Sequence, residues 1–218
     1  MNTNPELIHT CRELLCVSTG EFFRDVSLWI QLKNVFKKIA VEPKINILFS
    51  RVSTGEELCS LFIFLQEQNL LEKTTVHATE ICNNVLQQTK RTTYNIKTIE
   101  NTQKVYQEIG FSKPALEYFD ISGNMATLKS YLMNNCTFFI QDIHTPVPNT
   151  QVQYDLIWYR NQLIYWDTKT ANEHLTQFAD ILKSGGYLLL GYAENLDIYP
   201  IMSNFETVSF EDKIYRKK

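Results

Sequence analysis

From residue 45 onward the chain alternates short, apolar, β-prone runs with helical segments, and this alternation restricts its fold more than any other feature. Ile45–Ser50 reads as a short apolar strand. Glu56–Asn69 carries a dense helical face of Leu58, Leu61, Phe62 and Leu65. Thr74–Glu80 is β-rich, and Asn83–Lys90 is helical in composition. Strand, helix, strand, helix in this order predicts parallel βαβ units and therefore an α/β fold. Further on, Asp155–Tyr159 reads as a buried strand, and Thr168–Lys183 as an amphipathic helix stopped by Gly185-Gly186. Tyr187–Leu190 is another strand. Phe205–Phe210 and Lys213–Arg216 surround Glu211-Asp212 and predict a terminal β-hairpin.

Two regions fall outside the alternation. Between about residues 111 and 136, the β-prone pieces Leu116–Ile121 and Met125–Leu128 enclose Ser122-Gly123-Asn124, a tight-turn sequence. This predicts a small antiparallel insertion. Residues 1–40 read as helices leading into the main domain at 41–218. Asn4 and Pro5 start the first helix, with Leu7, Ile8, Cys11, Leu14 and Leu15 on one face. A second follows Asp25 and buries Leu28, Leu32, Val35, Phe36 and Ile39.

Composition narrows the function classes. The 218 residues are 44% hydrophobic and 21% charged, enough apolar content for one sizeable core. The net charge of −3 gives no basic excess for nucleic acid or an anionic membrane. Only seven glycines are present, and they form neither a G-x-G-x-x-G fingerprint nor a Walker loop, which disfavours a standard dinucleotide dehydrogenase and a P-loop NTPase. Five cysteines without a C-x-x-C pair suit reduced thiols in a cytoplasm, and four histidines show no metal spacing. No signal-peptide apolar region opens the chain, and its longest apolar run, Leu61–Leu65, is far too short to span a membrane.

Four local patterns can carry chemistry. Ser53-Thr54-Gly55-Glu56-Glu57 joins a strand to a helix, where α/β sheets bind ligands and where helix N–H groups are free. The same residues also suit an ordinary capping box, Thr54 with Glu57. Glu80 ends the second strand, where a carboxylate can accept two ribose hydroxyls or can simply face solvent. The run from Trp158 to Asp167 places Arg160-Asn161 at a strand end, suited to orient a carboxylate or an adenine edge, or to pair with an acid. Gly20–Asp25 sets Arg24 after two phenylalanines, either at a pocket mouth or at a plain helix entrance.

The order of these pieces resembles the CheR-type chemotaxis receptor methyltransferases. The matching set is F-F-R-D at Phe22–Asp25, S-T-G-E-E at Ser53–Glu57, Ala78–Glu80, Tyr118-Phe119, Phe138–Asp142, Arg160–Asp167, Gly185–Gly191 and Glu194–Leu196. The resemblance implies a Rossmann-like class I methyltransferase sheet with a small β-subdomain, and S-adenosylmethionine as cofactor. The implied reaction is methylation of glutamate carboxylates on a protein substrate of chemoreceptor type. It assigns Arg24 and Tyr165 to the transfer site and Glu57 to the amino-acid end of the cofactor. Glu80 falls to the ribose, Asp142 to the adenine, and Arg160 and Asn161 to the cofactor wall. Neither a metal nor a general base is implied. The sequence departs from the family at Phe49-Ser50-Arg51-Val52, where small residues are usual. Arg51 therefore motivates a second reading, a non-catalytic relative that serves as a binding or scaffold module.

Overall fold

The computed structural model describes residues 20–141 and 151–218. Its central strand, β1 (Ile45–Ser50), pairs in parallel with β2 (Thr74–Glu80) on one side and β7 (Tyr154–Trp158) on the other. Outside these lie β6 (Cys136–Ile140), parallel to β2, and β8 (Leu182–Leu189), parallel to β7. A hairpin of β9 (Phe205–Ser209) and β10 (Ile214–Lys217) closes the far edge, with β10 antiparallel to β8. The resulting order is β6-β2-β1-β7-β8-β10-β9. Chain direction across the sheet reverses between β1 and β7, and the carboxyl ends of those strands open the crevice where α/β sheets hold ligands. The expected α/β architecture and terminal hairpin are both present.

Helices cover the sheet. The helices α1 (Val26–Ile39) and α2 (Glu56–Glu67) pack on one core with β1 and β7. Phe49 of β1 stacks on Trp158 of β7 at 5.3 Å between ring centres, and Trp29 of α1 closes on the same indole. The α3 helix (Asn83–Thr89) follows β2, and α6 (Thr168–Ile181) follows β7 and buries Leu175 and Phe178 in a second core. Burial of nearly every residue of β1 and all of β7 explains why these strands read as continuous apolar runs rather than as alternating ones.

Gly185-Gly186 does not stop α6, contrary to the expectation. The helix ends at Ile181, Leu182 turns extended, and both glycines lie inside β8. The register with β7 shifts here, between Tyr154 and Leu156. Gly185 takes φ +81°, and a side chain on Gly186 would meet the carbonyl oxygens of Lys183 at 2.9 Å and Asp155 at 3.1 Å.

The insertion is a three-stranded antiparallel sheet, ordered β3-β5-β4. Its strands are β3 (Thr93–Asn95), β4 (Phe119–Ser122) and β5 (Met125–Leu128). Gly123, at φ +56°, makes the turn between β4 and β5. The short helices α4 (Ile96–Asn101) and α5 (Gln103–Glu108) link β3 to this hairpin. At the C-terminal end of α2, the Glu67 carboxylate accepts hydrogen bonds from Tyr106 at 2.5 Å and Tyr118 at 2.6 Å, which ties this region to the main domain.

Cys59 and Cys136 are free thiols. Burial pushes both free thiols from an ordinary 9.0 up to about 12. The unfolded chain therefore loses these protons first, so stability is complete below about pH 9 and declines as pH climbs toward about 12. Urea midpoints measured from about pH 7 to about pH 11 should fall across that window, and the decline should be shallower in a double Cys59→Ala, Cys136→Ala variant. A profile identical in the two proteins would contradict this account.

Candidate active site

The loop after β1 takes an unusual backbone path. Arg51 has φ 57°, Ser53 φ 50° and Gly55 φ 92°. Main-chain anchors hold it: the N–H of Val52 donates to the carbonyl of Thr79 at 3.0 Å, and that of Ser53 to the Glu80 carboxylate at 3.1 Å. From outside, the Thr89 hydroxyl donates to the carbonyl of Ser53, and the Tyr94 hydroxyl to that of Thr54 at 3.1 Å. Burial raises the ionisation of Tyr94 far above the ordinary phenol range, so the hydroxyl remains a donor.

This path removes the capping box. The residue before α2 is Gly55, and no side chain caps the helix. Glu57 turns instead toward Arg160. The first N–H groups of α2 are thus left without a side-chain cap at the edge of the cavity. Around them the Ser53 Oγ, Thr54 Oγ1 and Glu56 Oε2 atoms are buried with no hydrogen-bond partner. Gly20 packs directly on this cluster, where a side chain would strike the Glu56 carboxylate and the Thr54 hydroxyl.

The loop after β7 supplies the opposite wall. The side chain of Arg160 is 2% exposed and forks between the carboxylates of Glu57 and Asp25, while its Nε donates to the carbonyl of Leu190 at 3.3 Å. One guanidinium thereby joins the starts of α1 and α2 to the end of β7. Asn161 stands at φ 55°. The turn around it is organised by Glu194, 3% exposed, which accepts four backbone N–H groups. These come from Asn161 at 2.9 Å, Gln162 at 2.6 Å, Leu163 at 2.5 Å and Gly191 at 2.5 Å. Gln162 then donates from Nε2 to the carbonyl of Ser50 at 2.6 Å, which fixes the turn against β1.

A cavity of about 220 Å³ lies between the two loops. Arg24, Glu57, Glu80, Arg160, Asn161 and Tyr165, six of the seven residues singled out from the sequence, line it together. The seventh, Asp142, lies outside the described residues. Arg24 is exposed at the mouth, and Tyr165, 51% exposed, sits on a short helical turn at Leu163–Tyr165. Glu80 is buried. Its Oε1 accepts from the N–H of Ile81 at 2.8 Å and of Cys82 at 3.3 Å, and its Oε2 from Ser53. Arg51 lines the same cavity, beside Glu80. Among the described residues no cluster of histidine, cysteine and acidic groups could hold a metal ion, and no helix is long and apolar enough to cross a membrane.

Three contributors were not singled out from the sequence. Asp25, Gln162 and Glu194 all lie inside the motifs Phe22–Asp25, Arg160–Asp167 and Glu194–Leu196, which assign them no role. No local signal marks them, because their partners lie 30 or more residues away or are backbone groups.

The family described as CheR methyltransferase, SAM binding domain, matches residues 18–213. The chain belongs to this family. The Pseudomonas putida protein Cher3 is 28% identical over 215 residues, covering 98% of this chain and 78% of its own length. A chemotaxis protein methyltransferase of Campylobacter jejuni is 22% identical over 219 residues, covering 100% and 78%. Among solved structures, the N-methyltransferase NodS of Bradyrhizobium japonicum, in complex with S-adenosyl-l-homocysteine, covers 94% of this chain and 95% of its own at 13% identity, with a TM-score of 0.48.

S-adenosylmethionine is the cofactor of this family's domain. The residues present suit it. Its ammonium group needs carboxylates and its carboxylate needs N–H donors, and the start of α2 offers Glu56, Glu57 and uncapped N–H groups together. The unpartnered Ser53, Thr54 and Glu56 oxygens are the kind of buried polar atoms that a polar ligand satisfies.

Proposed function

We propose that this CheR-family protein methylates side-chain carboxylates of a protein substrate, with a glutamate of a chemoreceptor-like protein in the cytoplasm as the acceptor. One observation carries the reading: residues from four separate chain segments, at 24, 57, 80 and 160–165, meet around one cavity at the carboxyl ends of β1, β2 and β7. The relatives named as chemotaxis methyltransferases lend it support.

The cofactor supplies a methyl group activated by a sulfonium. An acceptor carboxylate is already a nucleophile at neutral pH, so the protein has no proton to remove. Its task is alignment, which can be worth several orders of magnitude in rate. Glu57 and the start of α2 would hold the amino-acid end of the cofactor, Glu80 the ribose, and Asn161 the wall between them. Asp142 is proposed for the adenine. Arg24, charged and exposed at the mouth, would draw the acceptor carboxylate in and orient it, and the Tyr165 hydroxyl would donate to it.

The purified chain should bind the cofactor in a calorimetric titration and transfer labelled methyl groups to a chemoreceptor signalling fragment as base-labile esters. Arg24→Ala should lower transfer by about 100-fold while leaving cofactor affinity within about threefold, as expected when a charge-assisted contact to the acceptor alone is lost. Absence of binding heat at millimolar cofactor would sink the enzyme reading. It would favour the second one, a non-catalytic module, for which the presence of Arg51 in the cavity is the supporting observation.

A further inference from the structure

Three guanidiniums line the cavity, and they are not equivalent. The charge of Arg160 is matched by two carboxylates, Asp25 and Glu57. Arg24 stands at the solvent-exposed mouth. Arg51 is half-buried and has no ion pair or side-chain hydrogen bond among the described residues. It borders both this cavity and a smaller adjoining one lined by Thr79, Glu80, Tyr159 and Gln162. Its backbone holds φ 57°, a strained conformation for a residue with a side chain, and the anchors on Val52 and Ser53 keep it there. Among the described residues, then, Arg51 brings to the cavity a positive charge that no carboxylate pairs directly, although Glu80 and Glu56 line the same space.

The cofactor exists in two forms that differ by one charge at one atom. The methyl donor carries a sulfonium; after transfer, the same sulfur is a neutral thioether. Covalent connectivity puts that sulfur between the ribose and the amino-acid chain. In a ligand with its ribose at Glu80 and its amino-acid end at Glu57, the sulfur lies within the cavity that Arg51 also lines. We propose that Arg51 is a charge discriminator: it disfavours the cationic methyl donor and leaves the neutral demethylated product unaffected, so the protein binds product in preference to donor. This inference rests on the cofactor-binding reading above and adds to it a specificity residue. A unit charge several ångströms from the sulfonium, partly screened, accounts for about a tenfold difference between the two ligands.

The test is a pair of calorimetric titrations, with S-adenosylmethionine and with S-adenosylhomocysteine, on the full chain and on Arg51→Gln, Arg51→Gly and Arg51→Lys. Glutamine removes the charge and keeps a shorter polar side chain; glycine removes it and relieves the backbone strain, which keeps the test valid if the glutamine variant folds poorly. The expected result is a product-over-donor preference in the natural protein that shrinks about tenfold in the two neutral variants and persists in the lysine variant. Most of the change should come from tighter donor binding. Binding of both ligands with a ratio untouched by charge removal would overturn the role of Arg51 and leave the cofactor reading standing. Failure of all four proteins to bind either ligand would overturn both.

Discussion

Glu194→Ala is expected to cost about 4 kcal/mol of folding stability, among the larger losses a single substitution can cause. The carboxylate is nearly sealed from solvent, and its two oxygens divide four backbone donors evenly. Oε1 takes the N–H groups of Gln162 and Leu163, and Oε2 those of Asn161 and Gly191. Alanine leaves four donors with no acceptor. Each would cost about 1–3 kcal/mol if left dry, and water entering the vacated space offsets part of the sum. Glu194→Gln sharpens the test, because its amide nitrogen replaces one acceptor and turns donors onto two N–H groups. That variant should lose about 2 kcal/mol despite its near-identical shape. Denaturant midpoints measure both losses. A loss below about 1 kcal/mol in the alanine variant would mean that the turn at 161–163 does not depend on this carboxylate.

Arg160→Ala should weaken cofactor binding by about 100-fold and lower stability by about 3 kcal/mol. The guanidinium makes three separate contacts, to Glu57, Asp25 and the carbonyl of Leu190. Its removal leaves two carboxylates facing across a void, and Glu57 no longer has a fixed position. The stability loss stays at the lower end for a broken buried pair because both acids are partly exposed and can turn toward water. Arg160→Lys keeps the charge without the planar fork, so it should rescue stability more fully than affinity. Equal rescue of both would show that Arg160 acts only as a charge. Calorimetric titration alongside urea denaturation separates the two quantities.

The frame was legible in the sequence because β1, β2, β7 and the helices between them carry apolar patterns set by burial on both sheet faces. The small strand β3 was not. Three residues, two of them exposed, are too few to show a period, and β3 exists only because β5 pairs with it. Gly185-Gly186 misled for a related reason. Glycine marks both a helix stop and a bulged strand, and packing against Asp155 decides between them. In the site, six cavity residues could be named from motif order. The ion pairs that orient Arg160 span 135 and 103 residues, and the donors that hold Glu194 are main-chain groups with no letter in the sequence. The capping box failed because Arg160 outcompetes a helix N-terminus for Glu57: a full charge at close range binds a carboxylate more strongly than a peptide dipole does.

The loop after β1 owes its path to atoms that substitution cannot reach. Its grips are main-chain N–H and C=O groups, met by Thr79, Glu80, Thr89 and Tyr94 from outside the segment. The side chain at 51 is therefore a passenger on a scaffold that others hold in shape, whereas Val52 packs into the core. Such a design separates form from preference: a substitution at position 51 can retune which ligand the cavity favours while the curve of the loop stays intact.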